Sequence, residues 1–571
     1  MESLLKTKSR SLLAFVAVFG LLLAACGGDD TGTSGDSTTV KPAPANQQVL
    51  RMRLGADPGT IDPQVASGAS QASIAKQIGA GLYTYDADLQ VVPQLAKSQP
   101  AISPDGKTYT IEIAEDAKWS DGKTITPQDF VYSMQRALDP ATASPYAPFY
   151  YGIVGAKEYN TALGNPREPK TASPEDLASL RSGLGVTAKG NSVEYRLVEP
   201  TPSFLNLLTI WTSFPARQDI IEKHGADWTQ PANMVSSGPF MLESWERDSQ
   251  ITLKPNPHWS AKKTPTLTSI QIKIIPDDSV AYAAYLAGEL DVVTVPAPAV
   301  KQVSADTELS KQLVTGSDLT TVALFMNNTA APFDNKLVRQ AFGTAIDRNA
   351  YVAGVLQGAG TTTTTWIPDG MPGHNPDYGK QYTFDATKAK DLLKQAGYEN
   401  GNGLPEITFL MVANPANQTV GEFLKAQLKT NLGVDVNFEY LEGPQFGPRF
   451  VRGQYQASIQ RWHADWPYPD NWLPAQFTTG SPNNVSKYSN PEFDNLMKQA
   501  SADVNDDNRL KTYAKAEKLM LDEAGLVPLY NARTYTLVKP NVKNFFVTGV
   551  DGALKGDLNF WKTFIALPSG N

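Results

Sequence analysis

The chain has 571 residues, 41% of them hydrophobic and 19% charged, which is an ordinary globular composition with enough apolar residues for a large core. At about 150 residues per domain this length suggests three or four domains. A formal net charge of −8 without any basic run argues against nucleic-acid binding, and the single cysteine, Cys26, excludes internal disulfides and thiolate metal clusters.

The chain opens on an address. Lys6, Lys8 and Arg10 form a positive head, and residues 11–25 follow without a charge. That run is too short for a comfortable membrane span and has the shape of a secretory signal. It ends in Leu23-Ala24-Ala25-Cys26-Gly27, which resembles a bacterial lipobox. Cys26 would then carry the lipid and become the first mature residue; two acyl chains suffice for stable anchoring, at ~0.8 kcal/mol per buried methylene. From Gly27 to Gln48 glycine, serine, threonine, aspartate and proline dominate, with almost nothing to bury, so 26–48 reads as the lipidated cysteine and a flexible tether. No later apolar stretch approaches the ~18 residues of a spanning helix. The expectation is an extracytoplasmic body held to the cell membrane, on its periplasmic or cell-surface face.

Beyond the tether, short strands alternate with amphipathic helices. Alternating apolar residues predict strands at 50–54, 108–113, 193–198, 251–254 and 269–275, and again at 321–327, 407–413, 434–440, 457–462 and 535–539. Thr126 is a predicted N-cap with Pro127 at the first helical position and Asp129 three residues after the cap. Phe130, Met134, Ala137 and Leu138 share one face, and Pro140 stops the run. Further helices are expected from about 385 to Gly397, over 423–432 before Gly433, and over 508–524 before Gly525. No internal repeat is visible, and the fold class is α/β with at least two sheets.

Catalytic signatures are sparse. There is no Gly-x-Ser-x-Gly elbow, phosphate-cradling glycine loop or His-Glu-x-x-His, and the four histidines are widely separated, which argues against a histidine metal cluster. Asp503, Asn505 and Asp507 open like a calcium loop but lack its glycine and distal glutamate, so they read as a helix start. Ser73 to Lys76 and Ser260 to Lys263 match the Ser-x-x-Lys spacing without its companion Lys-Thr-Gly, and read as coincidence. The densest chemistry is Arg461-Trp462-His463-Ala464-Asp465-Trp466, continuing through Asp470 to Trp472. Carboxylates among aromatic rings suit a cation, by charge-assisted hydrogen bonding and cation–π attraction. The same set suits a sugar, and equally a proline-rich loop pinned by aromatic residues.

Four segments in order resemble the family 5 solute-binding proteins of ABC importers, the oligopeptide-binding receptors in particular. They are Lys118-Trp119-Ser120-Asp121-Gly122 through Ser133; Ser237-Gly238-Pro239-Phe240 through Trp259; Tyr285-Leu286-Ala287-Gly288-Glu289-Leu290-Asp291; and Val338-Arg339-Gln340-Ala341 through Arg348. The resemblance implies a two-lobed periplasmic-binding-protein-like α/β fold (type II, cluster C) with three domains and a ligand cleft between the lobes. Domain I would comprise 49–70, 205–315 and 530–571, domain II would be an insertion at 71–204, and domain III would span 316–529. It also implies a monomeric, non-enzymatic receptor without cofactor, which captures peptides and passes them to a membrane permease.

Asp465, in its Trp-x-Ala-Asp context, would grip the ligand's α-ammonium, with Trp462, His463, Ala464, Arg461 and Trp466 around it. Asp57 and Gly59 would neighbour the ligand backbone. Arg461, Arg449, Arg452 and His374 are candidates for the ligand carboxylate. The same family includes receptors for oligosaccharides, nickel chelates and haem. A secreted glycosidase using Asp465 and Asp470 is the remaining, weaker reading.

Overall fold

The computed structural model describes residues 40–567 apart from 166–167, 170 and 260–263. Cys26, the signal-like segment and the Ser260 to Lys263 spacing therefore lie outside the described residues.

Three sheets organise the body. The first pairs Val49–Leu54 in parallel with Ser269–Ile274, then runs antiparallel through Gln250–Pro255 to Phe240–Glu246. Its alternation holds as expected: Leu50, Met52 and Leu54 point into a core shared with Ile251, Leu253, Ile270 and Ile272. The second is antiparallel, in the order Ala101–Ile102, Thr108–Glu112, Ser192–Arg196, Val186–Lys189. Helix Pro127–Leu138 covers it through Phe130, Met134 and Leu138. That helix starts as its sequence dictates, with the Thr126 N–H donating to Asp129 Oδ2 at 2.7 Å.

The third sheet has seven strands. Its path runs Val292–Thr294, Val527–Val538, Leu313–Met326, Ala457–His463, Thr408–Val412, Asn437–Leu441, and Gly360–Thr362 adds to Val527–Val538. Helix Pro415–Leu432 connects the parallel pair Thr408–Val412 and Asn437–Leu441, and Gly433 ends it with φ 74°. Together the three sheets and their helices make a two-lobed α/β fold.

Two differences from the sequence reading concern length. The strands expected at 321–327 and 535–539 are the ends of Leu313–Met326 and Val527–Val538. The missed halves lack a clean alternation, being broken by Gly316, Ser317 and Asp318 in one strand and by Pro528 and Asn531 in the other, and each pairs chiefly with the expected half of the other strand, with register shifts between Ser317 and Thr321 and between Val322 and Ala323. The tether also ends sooner than Gln48. Pro42 bridges to Ala566, and the Gln48 amide donates to Ala43 O at 2.7 Å and Ile565 O at 2.8 Å, so 42–48 belongs to the body. Val292–Thr294, expected in domain I, pairs antiparallel with Val527–Val538 of the large sheet.

Candidate functional site

A small cavity lies among Lys76, Tyr85, Trp211, Asp465, Asp557 and Trp561. Asp465 follows strand Ala457–His463. The Ala464 N–H donates to Leu319 O at 3.1 Å and the Asp465 N–H to Asn471 Oδ1 at 2.9 Å, which fixes the chain as it leaves the sheet. The side chain meets the other lobe directly: Tyr146 donates its hydroxyl to Asp465 Oδ1 at 2.8 Å. Burial raises the Asp465 pKa above the ordinary carboxylate range, against the hydrogen bonds from Tyr146 and Asn471 and the charge of Lys76. The carboxylate is thus half-buried at the cavity wall, with burial outweighing the hydrogen bonds and charge that favour its ionised form.

Tyr85, Trp211, Phe214 and Trp561 wall that cavity. From Trp211 an aromatic row leads away: Tyr146 lies 5.1 Å from Trp211 and 5.3 Å from Phe149 between ring centroids, and Phe149 meets Trp466 edge-on at 5.4 Å. At the end of this row is a second, mostly apolar chamber that includes Asp470, whose Oδ1 accepts from Trp466 Nε1 at 2.6 Å. Burial pushes Asp470 up to a pKa of about 6. Asp465 and Asp470 therefore face different cavities.

The other residues singled out in the sequence are dispersed. Ala464 is buried beneath Asp465, and Trp462 packs against the large core. His463 Nδ1 lies 2.8 Å from Thr320 Oγ1, and burial lowers its pKa. Trp472 turns into the core, 5.0 Å from Trp366. Arg461 and Arg452 are exposed, and Arg449 pairs with Glu439 at 2.6 Å. His374 holds Ile367 O at 2.8 Å and lines a separate threonine-rich groove. Asp57 accepts from Trp245 Nε1 at 3.0 Å, the Asp248 N–H at 3.1 Å and the Gly59 N–H at 2.8 Å, pinning the turn between the Phe240–Glu246 and Gln250–Pro255 strands. Neither Asp57 nor Gly59 lines the cavity.

Sequence reading missed Tyr146 and the pair Lys76 and Asp557. Asp557 Oδ2 accepts from Ser73 Oγ at 2.6 Å and the Gly552 N–H at 3.0 Å, while Lys76 Nζ reaches Oδ1 at 3.3 Å. Ser73 and Lys76, one helical turn apart, are thus a clamp on Asp557 and not a nucleophile with its base. Their spacing was visible; their partner, 481 residues from Lys76, was not.

Two lobes meeting over an aromatic cavity that holds one uncompensated carboxylate define a protein built to enclose a small solute. Residues 90–484 match the bacterial extracellular solute-binding proteins, family 5 middle region. The chain is 31% identical to the periplasmic oligopeptide-binding protein OppA of Haemophilus influenzae, over 87% of this chain and 91% of that protein. It is 28% identical to the oligopeptide-binding protein OppA of Bacillus subtilis, over 95% and 97%. The crystal structure of Haemophilus influenzae OppA in complex with RPPGFSPFR superposes with a TM-score of 0.75 at 28% identity, covering 92% of this chain and 100% of that one. The chain belongs to the family 5 extracellular solute-binding proteins, which are carriers of ligands and not enzymes.

Proposed function

We propose that this protein is the peptide receptor of an ABC importer, tethered outside the membrane through a lipid on Cys26, and that Asp465 holds the α-ammonium of the bound peptide. The observation that carries the reading is the Asp465 carboxylate itself: desolvated, short of compensating charge, and directed at the cavity between the lobes. An ammonium placed there supplies the missing counter-charge and leaves Tyr146 O–H as a second partner from the opposite lobe. The rest of the peptide is held by backbone hydrogen bonds, which tolerate many side chains. The peptide-binding relatives support this assignment. A glycosidase is disfavoured, because Asp465 and Asp470 do not face one cavity.

Titration calorimetry tests the ligand assignment. Asp465→Ala, folded by circular dichroism, is expected to lose several kcal/mol of peptide affinity, as when one member of a buried ion pair is removed; unchanged affinity would refute it. Trp211 and Trp561 in the cavity wall favour a sugar as the second reading. That reading predicts indifference to peptides altogether. For the anchor, Cys26→Ser is expected to move the protein from the membrane fraction to the soluble one, and retention in the membrane would count against lipidation.

A further inference from the structure

Two asparagine–glycine bonds stand side by side in the loop that leads into strand Thr408–Val412. They are Asn400-Gly401 and Asn402-Gly403, the only such pairs in the chain. An asparagine followed by glycine can react with its own backbone. The glycine nitrogen loses its proton to solvent and attacks Cγ of the asparagine side chain. An N–Cγ bond forms, the Cγ–Nδ2 bond breaks, and ammonia leaves. Water then opens the resulting five-membered imide at either carbonyl, giving aspartate or isoaspartate. Glycine favours the attack because it has no Cβ to obstruct it and turns freely about its backbone. The step therefore needs an exposed asparagine and a glycine N–H that no acceptor holds.

Both asparagines are exposed, so the glycines decide between them. The Gly401 N–H donates to Tyr398 O at 2.9 Å in the short helix Glu399–Gly401. Gly401 also lies against the end of helix Pro415–Leu432: a Cβ built on it would stand 3.2 Å from both Gly433 O and Val434 Cγ2. Asn400, with φ 53° and ψ 28°, is held in the left-handed region between these contacts. Attack by the Gly401 nitrogen first requires this turn to open.

Asn402 and Gly403 are instead the central residues of a turn closed by the Leu404 N–H, which donates to Gly401 O at 3.2 Å. Asn402 has φ −63° and ψ 128° and Gly403 has φ 82°, which is a type II turn. Gly403 is exposed, and its N–H has no acceptor among the described residues. The only atom near a Cβ built there would be Tyr398 Cδ1, at 3.9 Å. This N–H is left to water and can turn without giving up a hydrogen bond to protein.

We infer that Asn402 is a site of spontaneous deamidation, and that the fold protects Asn400 two residues away. The product gains one negative charge, and isoaspartate routes the main chain through the former side chain. The change falls on a turn that does not line the cavity of Asp465.

The test compares the intact folded chain with the same chain unfolded in guanidinium chloride, both kept in warm, mildly alkaline buffer. Proteolysis and fragmentation mass spectrometry then locate the gain of one mass unit within residues 399–404. In the folded chain Asn402 is expected to convert at least tenfold faster than Asn400, and in the unfolded chain the two rates should agree within threefold. Equal rates in the folded chain, a faster Asn400, or an unreactive Asn402 would overturn the inference. Asn402→Gln supplies a second readout, because the longer side chain closes a six-membered ring far more slowly. The mass gain in this segment of the folded variant should fall at least tenfold, and an undiminished gain would assign the reaction to Asn400 and overturn the inference.

Discussion

Asp465 and Asp557 line the same cavity and are built in opposite ways. Asp557 has a hydroxyl, a backbone N–H and an ammonium on its two oxygens and is almost without exposed surface. Asp465 has a tyrosine hydroxyl at 2.8 Å and a long 3.5 Å contact from Asn471 Nδ2, and no ion pair of its own. A buried carboxylate with a complete set of partners ties elements together; here it joins helix Ala69–Ile78 to the C-terminal segment. A buried carboxylate left short of partners at a cavity wall is a cost to the fold that a ligand can relieve. Glu517 shows the third possibility. It is fully buried, accepts the Trp366 and Ile367 N–H groups at 2.8 and 2.9 Å, and burial pushes its pKa up to about 8.

The contrast can be broken at each of these groups. Asp557→Ala leaves Lys76 and Ser73 without their partner and should cost about 3–5 kcal/mol of stability in chemical denaturation. A loss below ~1 kcal/mol would show that the clamp is dispensable. Glu517 should make stability depend on pH. Its folded pKa of about 8 exceeds the ordinary 4.5, so its neutral form favours the fold. That contribution is complete below pH 4.5 and is lost as the pH rises to about 8, on the order of 1.4 kcal/mol per unit of pKa difference. In Glu517→Gln this part of the decline should vanish, and a decline of unchanged size would assign it to other groups. Tyr146→Phe removes one charge-assisted donor and should lower stability by about 1–2 kcal/mol, with circular dichroism otherwise unchanged. The smallest effect is expected from Asp465→Asn in the absence of peptide. Removing an incompletely compensated charge should leave thermal stability unchanged or slightly higher, and a large loss would place Asp465 with Asp557 as a structural carboxylate.

Much of this was legible in the sequence, for reasons that differ by residue. Thr126, Pro127 and Asp129 act within four residues of one another, so the helix start needed no tertiary information. Asp465 stood out because its aromatic company is local. The partners that separate it from Asp557 are not: Tyr146 lies 319 residues away, and Ser73 lies 484 residues from Asp557. Trp462 and Trp472 misled for the converse reason. They are neighbours of Asp465 in sequence, but strand pairing and the turn at Pro469–Asn471 send them into the core of the large lobe. Asp57 likewise looked suited to a ligand until the hairpin beside it supplied Trp245 and Arg247 as partners.

The central claim is that Asp465 is left incompletely compensated so that it can bind an ammonium. Its most direct test is a thermodynamic cycle by calorimetry, pairing a free and an N-acetylated form of one peptide with the unaltered protein and with Asp465→Asn. N-acetylation should cost the unaltered protein at least a hundredfold in affinity and cost Asp465→Asn less than threefold, because the charge it removes no longer has a partner. Equal losses in the two proteins would mean that the amino terminus is recognised elsewhere, and would contradict the account.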